Sequence, residues 1–594
     1  MRRQHIGYFG IKGKIKLSLF IEYLIELLKI PKRFQFNRLY FLLEIQGAQM
    51  PIIAYSTVAQ LLTLYISIKF CTLVWDPARA LLKGLVYYLP PSTGSFQGIL
   101  PKEHKRKPNP KKKAKQPKFV SSRRHGFPII QEQIDDEDLY NYQKHMIFLD
   151  EFSWLLQLTL QSIFVNLVAV TWNCLAPGTM TFDLGNILLA YAGASAVYLN
   201  LKLLYLRGIS KFDVRTTFFA GIVGGVVAYV CLLMQADMLD FRLALAMPDF
   251  NRRWKNLTAA VGTPSTKADE GIDAEMFRLP LAIAAGLITS ASIIPMLRIT
   301  GYFNKLVESE NVGACKSFLL NVNFFAPLFL ALLWIPPLTS DFVLSPNLME
   351  CEKDLLIRDC SPFPPGKYFV NESMYNGGRI LVVMAYALLS LCILRTILQV
   401  HLSDAMVQVQ YVLNSVSNID DAMINRVQYG IQQIFLRTCV VGVQYLGPVV
   451  FVFTSSVLLQ KKGEHNTEVC AVVRSGLSKV GWEITDVPKP APAVDKGLLG
   501  LLLNQDDAET KQIMQWLVGV SSSQVFTGRI FRPVIGFLLW WALLSTFCVS
   551  AIGLVYHRRK RLFANVSRYI AAVPGSAEET TNSKEWKAAQ KKFK

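Results

Sequence analysis

Charged residues are scarce in this 594-residue chain: Asp, Glu, Lys and Arg make up 18%, against about 25% in an ordinary soluble protein. Hydrophobic residues reach 52% and the mean hydropathy is +0.29. That balance excludes an intrinsically disordered chain and a soluble multidomain enzyme. Histidine is scarcer still. The seven (His5, His104, His125, His145, His401, His465 and His557) lie far apart, and none stands at metal-ligand spacing. The ten cysteines contain no CxxC and are too sparse for a disulfide scaffold. GxSxG, HExxH, GxxxxGKS/T and GxGxxG are also missing. No catalytic residue, metal or cofactor is therefore expected. No internal repeat is visible, which weakens a transporter reading built on duplicated halves.

Long apolar runs are what the chain does have. A bilayer core roughly 30 Å thick takes ~20 helical residues. Runs of that length occur at about 52–75, 147–172, 184–206, 214–236, 279–298, 317–340, 379–400, 434–459 and 533–556. The fold class expected is all-α: a polytopic helical membrane protein with eight or nine spans. The short connection 207–213 makes spans three and four an antiparallel hairpin. Gly221, Gly224 and Gly225 on one and the Ala190–Ala196 segment on the other suit close helix packing in lipid.

The net charge of +20 is unevenly placed. Residues 102–124 carry eleven basic residues against Glu103, and residues 1–49 carry nine against three acids. The first of these runs has prolines and a lone Phe119 instead of interleaved stacking aromatics. It reads as a basic loop against anionic lipid and not as a nucleic-acid surface. Basic residues at 102–124, Arg207/Lys211, Arg298/Lys305 and 557–561 collect on one side, which the positive-inside rule assigns to the cytosol. The resulting organisation is an N-terminal extension at 1–49, then the first span and basic cytosolic loop at 50–146. A bundle of spans two to eight follows at 147–459, with lumenal loops 237–278 and 341–378. A lumenal loop at 460–532 has interfacial helices at Leu498–Leu503 and Ile513–Leu517, and residues 533–594 supply the last span and a basic tail. The sequons at Asn256 and Asn371 fall on the lumenal side and are the expected glycan sites. Cys351 and Cys360, on the same side, stand close enough in sequence for a disulfide, with two free thiols as the alternative.

Ionisable residues inside the apolar runs are costly in lipid. They are Lys69, Asp150, Glu151, Lys202, Arg395 and Arg437. Snorkelling to the headgroups accounts for the basic ones. Asp150 and Glu151 are short and snorkel less effectively, so pairing with a neighbouring Arg or Lys, or a place just outside the hydrocarbon, is expected. The candidate intramembrane cluster is Asp150, Glu151, Arg395 and Arg437, with Glu151 paired to one of the two arginines.

A set of short elements, weak singly and ordered along some 400 residues, resembles the transmembrane protein 161 family. Glu151 with Trp154 is similar to its E-[YF]-x-W element, and Arg298 after Pro295 to its P-x-L-R helix end. Pro327 and Phe329, then Trp334, Pro337, Asp341 and Phe342, match a PLF…W…P…DF block. Gly378 and Arg379, with Arg395 and Gln399, match the seventh span. Gln444 and Tyr445 with Pro448 match QYLxP; Trp540, Trp541 and the Gly553–His557 stretch match the last span. Two departures stand out: Met50 occupies the place where the family's chain begins, so 1–49 reads as an alternative start or a gene-model extension that is not native, and the basic loop is unusually rich in lysine. The resemblance implies a non-enzymatic multi-pass protein linked to ion currents and tolerance of oxidative stress, with an unknown membrane-protein partner and no agreed molecular activity. The alternative is a transporter or channel with a polar path at Asp150 and Glu151; a membrane-embedded enzyme ranks third.

Overall fold

The computed structural model describes residues 52–89, 131–135, 145–175, 183–205, 211–234, 239, 241, 243–261, 274–308, 313–338, 372–415, 421–462 and 528–572. Residues 1–49, the basic run at 102–124, Asn371, Cys351, Cys360 and the expected interfacial helices at 498–517 lie outside them.

Helices dominate. They are α1 (Ile52–Leu73), α2 (Pro77–Leu82), α3 (Leu149–Leu175), α4 (Leu184–Lys202), α5 (Lys211–Leu233), α6 (Leu243–Val261) and α7 (Ala274–Glu308). They continue as α8 (Ala314–Leu332), α9 (Glu372–Ser415), α10 (Asp421–Leu436), α11 (Thr438–Lys462) and α12 (Gly528–Ala572). Among the described residues, nine segments are long and apolar enough to cross a membrane: α1, α3, α4, α5, α7, α8, α9, α10–α11 and α12. The chain is thus an all-α polytopic membrane protein, and each apolar run found in the sequence is a helix.

Three spans outrun their apolar cores. Helices of 35, 44 and 45 residues (α7, α9 and α12) are about 50–70 Å long at 1.5 Å per residue, far more than a bilayer needs. Their extra turns, with α10, lie at the end where the chain departs into and returns from residues 90–130, here called the basic-loop side. That excursion is closed at its base by β1 (Val86–Tyr88) and β2 (Gln131–Gln133), paired antiparallel with Tyr87 opposite Glu132. Within the expected loop 237–278, α6 is an additional helix whose backbone includes Asn256.

Two buried clusters divide the interior. On the basic-loop side, Leu82, Leu85, Tyr87 and Ile134 pack with Phe152, Leu155, Leu394, Leu398 and Leu446. Toward the opposite side, Phe241, Phe250, Trp334, Phe537, Trp540 and Trp541 form an aromatic core. Burying aromatics at this density contributes beyond area alone, because edge-to-face pairs such as Phe241–Phe537, 5.6 Å between centroids, are attractive. Between α5 and α7 the small residues meet directly: a Cβ on Gly286 would stand 2.7 Å from the carbonyl oxygen of Gly221.

Candidate functional site

Polar side chains within the bundle gather in three layers. The first lies on the basic-loop side. Glu151, in the first turn of α3, accepts a hydrogen bond from Lys202 Nζ at 2.9 Å, and Lys202 is in the last turn of α4. The acid sits where the helix dipole is positive and the lysine where it is negative, so both ends gain. Arginine pairing, expected from depth alone, is therefore corrected: the antiparallel neighbours α3 and α4 put Lys202 beside Glu151. Asp150 and Arg437 are exposed.

Arg395 is used differently. It donates to the carbonyl of Lys83 at 3.0 Å. The next residue, Gly84, has φ +76, a conformation open to glycine. A Cβ there would come 3.1 Å from the guanidinium. One turn on, the Gln399 amide accepts from Val86 N at 2.9 Å and donates to Val86 O at 3.0 Å, acting as a third strand beside β1. Arg395 and Gln399 thus clasp the base of the basic loop to α9. Nearby, His401 joins three elements: its Nδ1 lies 2.9 Å from Tyr302 Oη and its Nε2 lies 3.0 Å from the carbonyl of Ile434. The donor geometry is satisfied when Nε2 carries the proton and the tyrosine donates to Nδ1. Lys305 and Asp404 pair alongside at 2.5 Å.

The middle layer is a closed ring of hydrogen bonds. Asn323 of α8 donates through Nδ2 to Tyr445 Oη of α11 at 3.5 Å, and that hydroxyl donates to the carbonyl of Ser390 in α9 at 3.0 Å. Ser390 Oγ returns a bond to Asn323 Oδ1 at 2.7 Å. Pro327 and Pro448 interrupt α8 and α11 here. Each proline removes the amide that would have bonded the carbonyl four residues earlier, which is that of Asn323 and of Gln444. Arg298, exposed at the end of its apolar run, donates to Gln444 Oε1 at 3.4 Å.

The third layer, on the opposite side, caps the C-terminus of α8. The carbonyl of Leu333 accepts from Tyr375 Oη at 3.0 Å and from Arg379 at 3.4 Å, while Trp540 Nε1 donates to Ala331 O at 3.1 Å. Arg379 also bonds Asn376 Oδ1 at 2.9 Å, and its guanidinium lies 4.4 Å from the centre of the Trp334 ring. Carbonyls at a helix end have no partner within the helix. Here an indole, a phenol and a cation supply them, and the cation meets the negative end of the dipole. Trp541 ties α12 to α7 in the same way, donating to Ala285 O and Thr289 Oγ1 at 3.0 Å each. A partly buried ion pair, Lys461 with Asp183 at 2.5 Å, holds α11 to α4, and Lys461 also reaches Asn166 at 3.0 Å.

The residues singled out by motif thus fall into place unevenly. Pro327, Trp334, Arg379, Gln444, Tyr445, Trp540 and Trp541 all sit in the middle or opposite-side layers. Trp154 is 40% exposed and stands edge-on to Tyr191 at 6.0 Å, on the outside of the bundle. Asn323, Ser390, His401 and Gln60, whose Oε1 accepts from Leu184 N at 2.8 Å, were not anticipated. A signal for the ring was present: an amide side chain four residues before an intramembrane proline occurs twice, at Asn323/Pro327 and Gln444/Pro448. Among the described residues no group of three His, Cys, Asp or Glu is placed to hold a metal.

If the Glu151–Lys202 contact is the pairing, a double-mutant cycle on Glu151→Gln and Lys202→Met should give a coupling of about 0.2–1 kcal/mol in detergent melting, as for partly exposed pairs. Cycles of Glu151 with Arg395 or Arg437 should give none. Coupling to either arginine in place of Lys202 would refute the assignment.

The sequence profile of the family described as predicted transmembrane protein 161AB matches residues 52–560. No solved structure matches the chain.

Proposed function

From the premise that the chain belongs to the transmembrane protein 161 family, we propose that it is a non-enzymatic regulator that binds other membrane proteins within the bilayer. Its effect would fall on ion currents or stress tolerance. The observation that carries this reading is how the interior polar groups are used. Glu151, Lys461, Arg379, Asn323 and Tyr445 are each joined to a neighbouring helix or helix end. Interhelical hydrogen bonds of this kind are the glue of a packed bundle. In this reading the basic-loop side faces the cytosol, where residues 102–124 meet anionic lipid. The disulfide engaged by Cys174, at the far end of α3, supports it, since disulfides persist in oxidising compartments.

Reconstitution tests the proposal against transport. Purified protein in liposomes should show no flux of K⁺, Na⁺, Ca²⁺ or Cl⁻ above that of empty vesicles. A saturable flux that Glu151→Gln or Tyr445→Phe abolishes would overturn it in favour of a transporter.

A further inference from the structure

Between α7, α8, α9, α11 and α12 lies a cavity of about 60 Å³. A water molecule needs about 10–15 Å³ of such space, so there is room for at least two. Apolar cavities of such size stay dry, and polar ones that offer each water two to four partners are filled. The walls here include Phe303, Leu320 and Ile397, but also Asn323, Tyr386, Ser390, Tyr445, Thr546 and Ser550. The hydrogen-bond ring uses only part of their capacity. The Asn323 amide keeps a second proton and a second lone pair, and the Tyr445 hydroxyl keeps a second lone pair. Pro327 and Pro448 also line the cavity. The carbonyls they deprive, of Asn323 and Gln444, belong to the turns beside it.

We propose that this cavity is a hydration site, in which one or two water molecules bridge the Asn323–Ser390–Tyr445 ring to the carbonyls freed by the two prolines. Water there replaces the missing helical bonds of α8 and α11 and makes a wet joint between α8 and the α9–α11 pair. The joint explains how two helices carry prolines against one cavity without leaving unsatisfied groups in the membrane, where each would be costly. The inference does not depend on whether the protein regulates or transports.

Radiolytic hydroxyl-radical footprinting of the whole protein in nanodiscs tests this, because radicals made from bound water mark the side chains beside it. Tyr386 and Tyr445 should be oxidised under a dose that leaves Phe152 and Phe537, buried in close-packed clusters, unmodified. In Ser550→Val, which adds apolar bulk to the cavity wall, that oxidation should be lost and the melting temperature should fall, since displaced water takes its hydrogen bonds with it. Tyr386 and Tyr445 as protected as Phe152 would overturn the proposal. So would a rise in melting temperature for Ser550→Val, the result expected from filling a dry void. Should that variant fail to fold, the labelling of the parent decides alone.

Discussion

Replacing Arg379 by leucine should cost about 3 kcal/mol of stability, which thermal melting in detergent would read as a clear fall in midpoint. The side chain is 6% exposed, bonds a helix-terminal carbonyl and Asn376, and stacks on Trp334. A hydrogen bond to a charged group contributes ~1.5–3 kcal/mol and a desolvated cation–ring contact about 2 kcal/mol. Arg379→Lys should recover little, because an ammonium cannot present the planar fork that meets two oxygens while sitting over an indole face. Tyr375→Phe removes one bond to the same carbonyl and should cost about 1 kcal/mol. Melting curves of Arg379→Leu and Arg379→Lys that overlie the parent would show that the cap of α8 carries no stability.

Gly286→Val should be worse, lowering the yield of folded protein outright. A Cβ there would come 2.7 Å from the Gly221 carbonyl and 3.4 Å from the backbone of Gly225. Backbone cannot swing aside as a side chain does, so α5 and α7 must separate. Overpacking of an ordinary core costs about 1–3 kcal/mol, and the same seam also seats Thr289 against Gly224. Gly378→Ala is the contrasting case. Although Gly378 belongs to a family motif, a Cβ there meets nothing within 4 Å, so the change should be neutral or gain about 0.5–1 kcal/mol from helix propensity. If size-exclusion profiles and melting of Gly286→Val match those of Gly378→Ala, close backbone packing is not what joins α5 to α7.

Hydropathy suffices to find the nine span-length helices among the described residues, because a helix in lipid must be apolar along its whole length and few other patterns look like that. It missed what lies outside the hydrocarbon. The C-terminal extensions of α7, α9 and α12 intersperse charged and polar residues with apolar ones, so the continuous apolar run ends before the helix does. Strands of three residues such as β1 are too short to show alternation. Glu151 is legible in the sequence as lying near the start of its helix, where the structure has it, but its partner follows from which helices are neighbours, and a single sequence does not print adjacency. Motif residues such as Arg379, Trp334 and Trp540 were picked out across a gap of some two hundred residues without any indication that they converge on one helix end. Their physical task, covering carbonyls at the end of α8, appears only once the fold brings those carbonyls beside them.

The clasp formed by Gly84, Val86, Arg395 and Gln399 gives the loop from 89 to 130 the character of an interchangeable cassette. Its two ends are already joined, strand to strand, before the chain leaves the bundle. Because closure entropy grows slowly with loop length, lengthening the connection between the paired strands by an inserted reporter domain should leave the melting of the described bundle close to that of the parent, with β1 and β2 still paired.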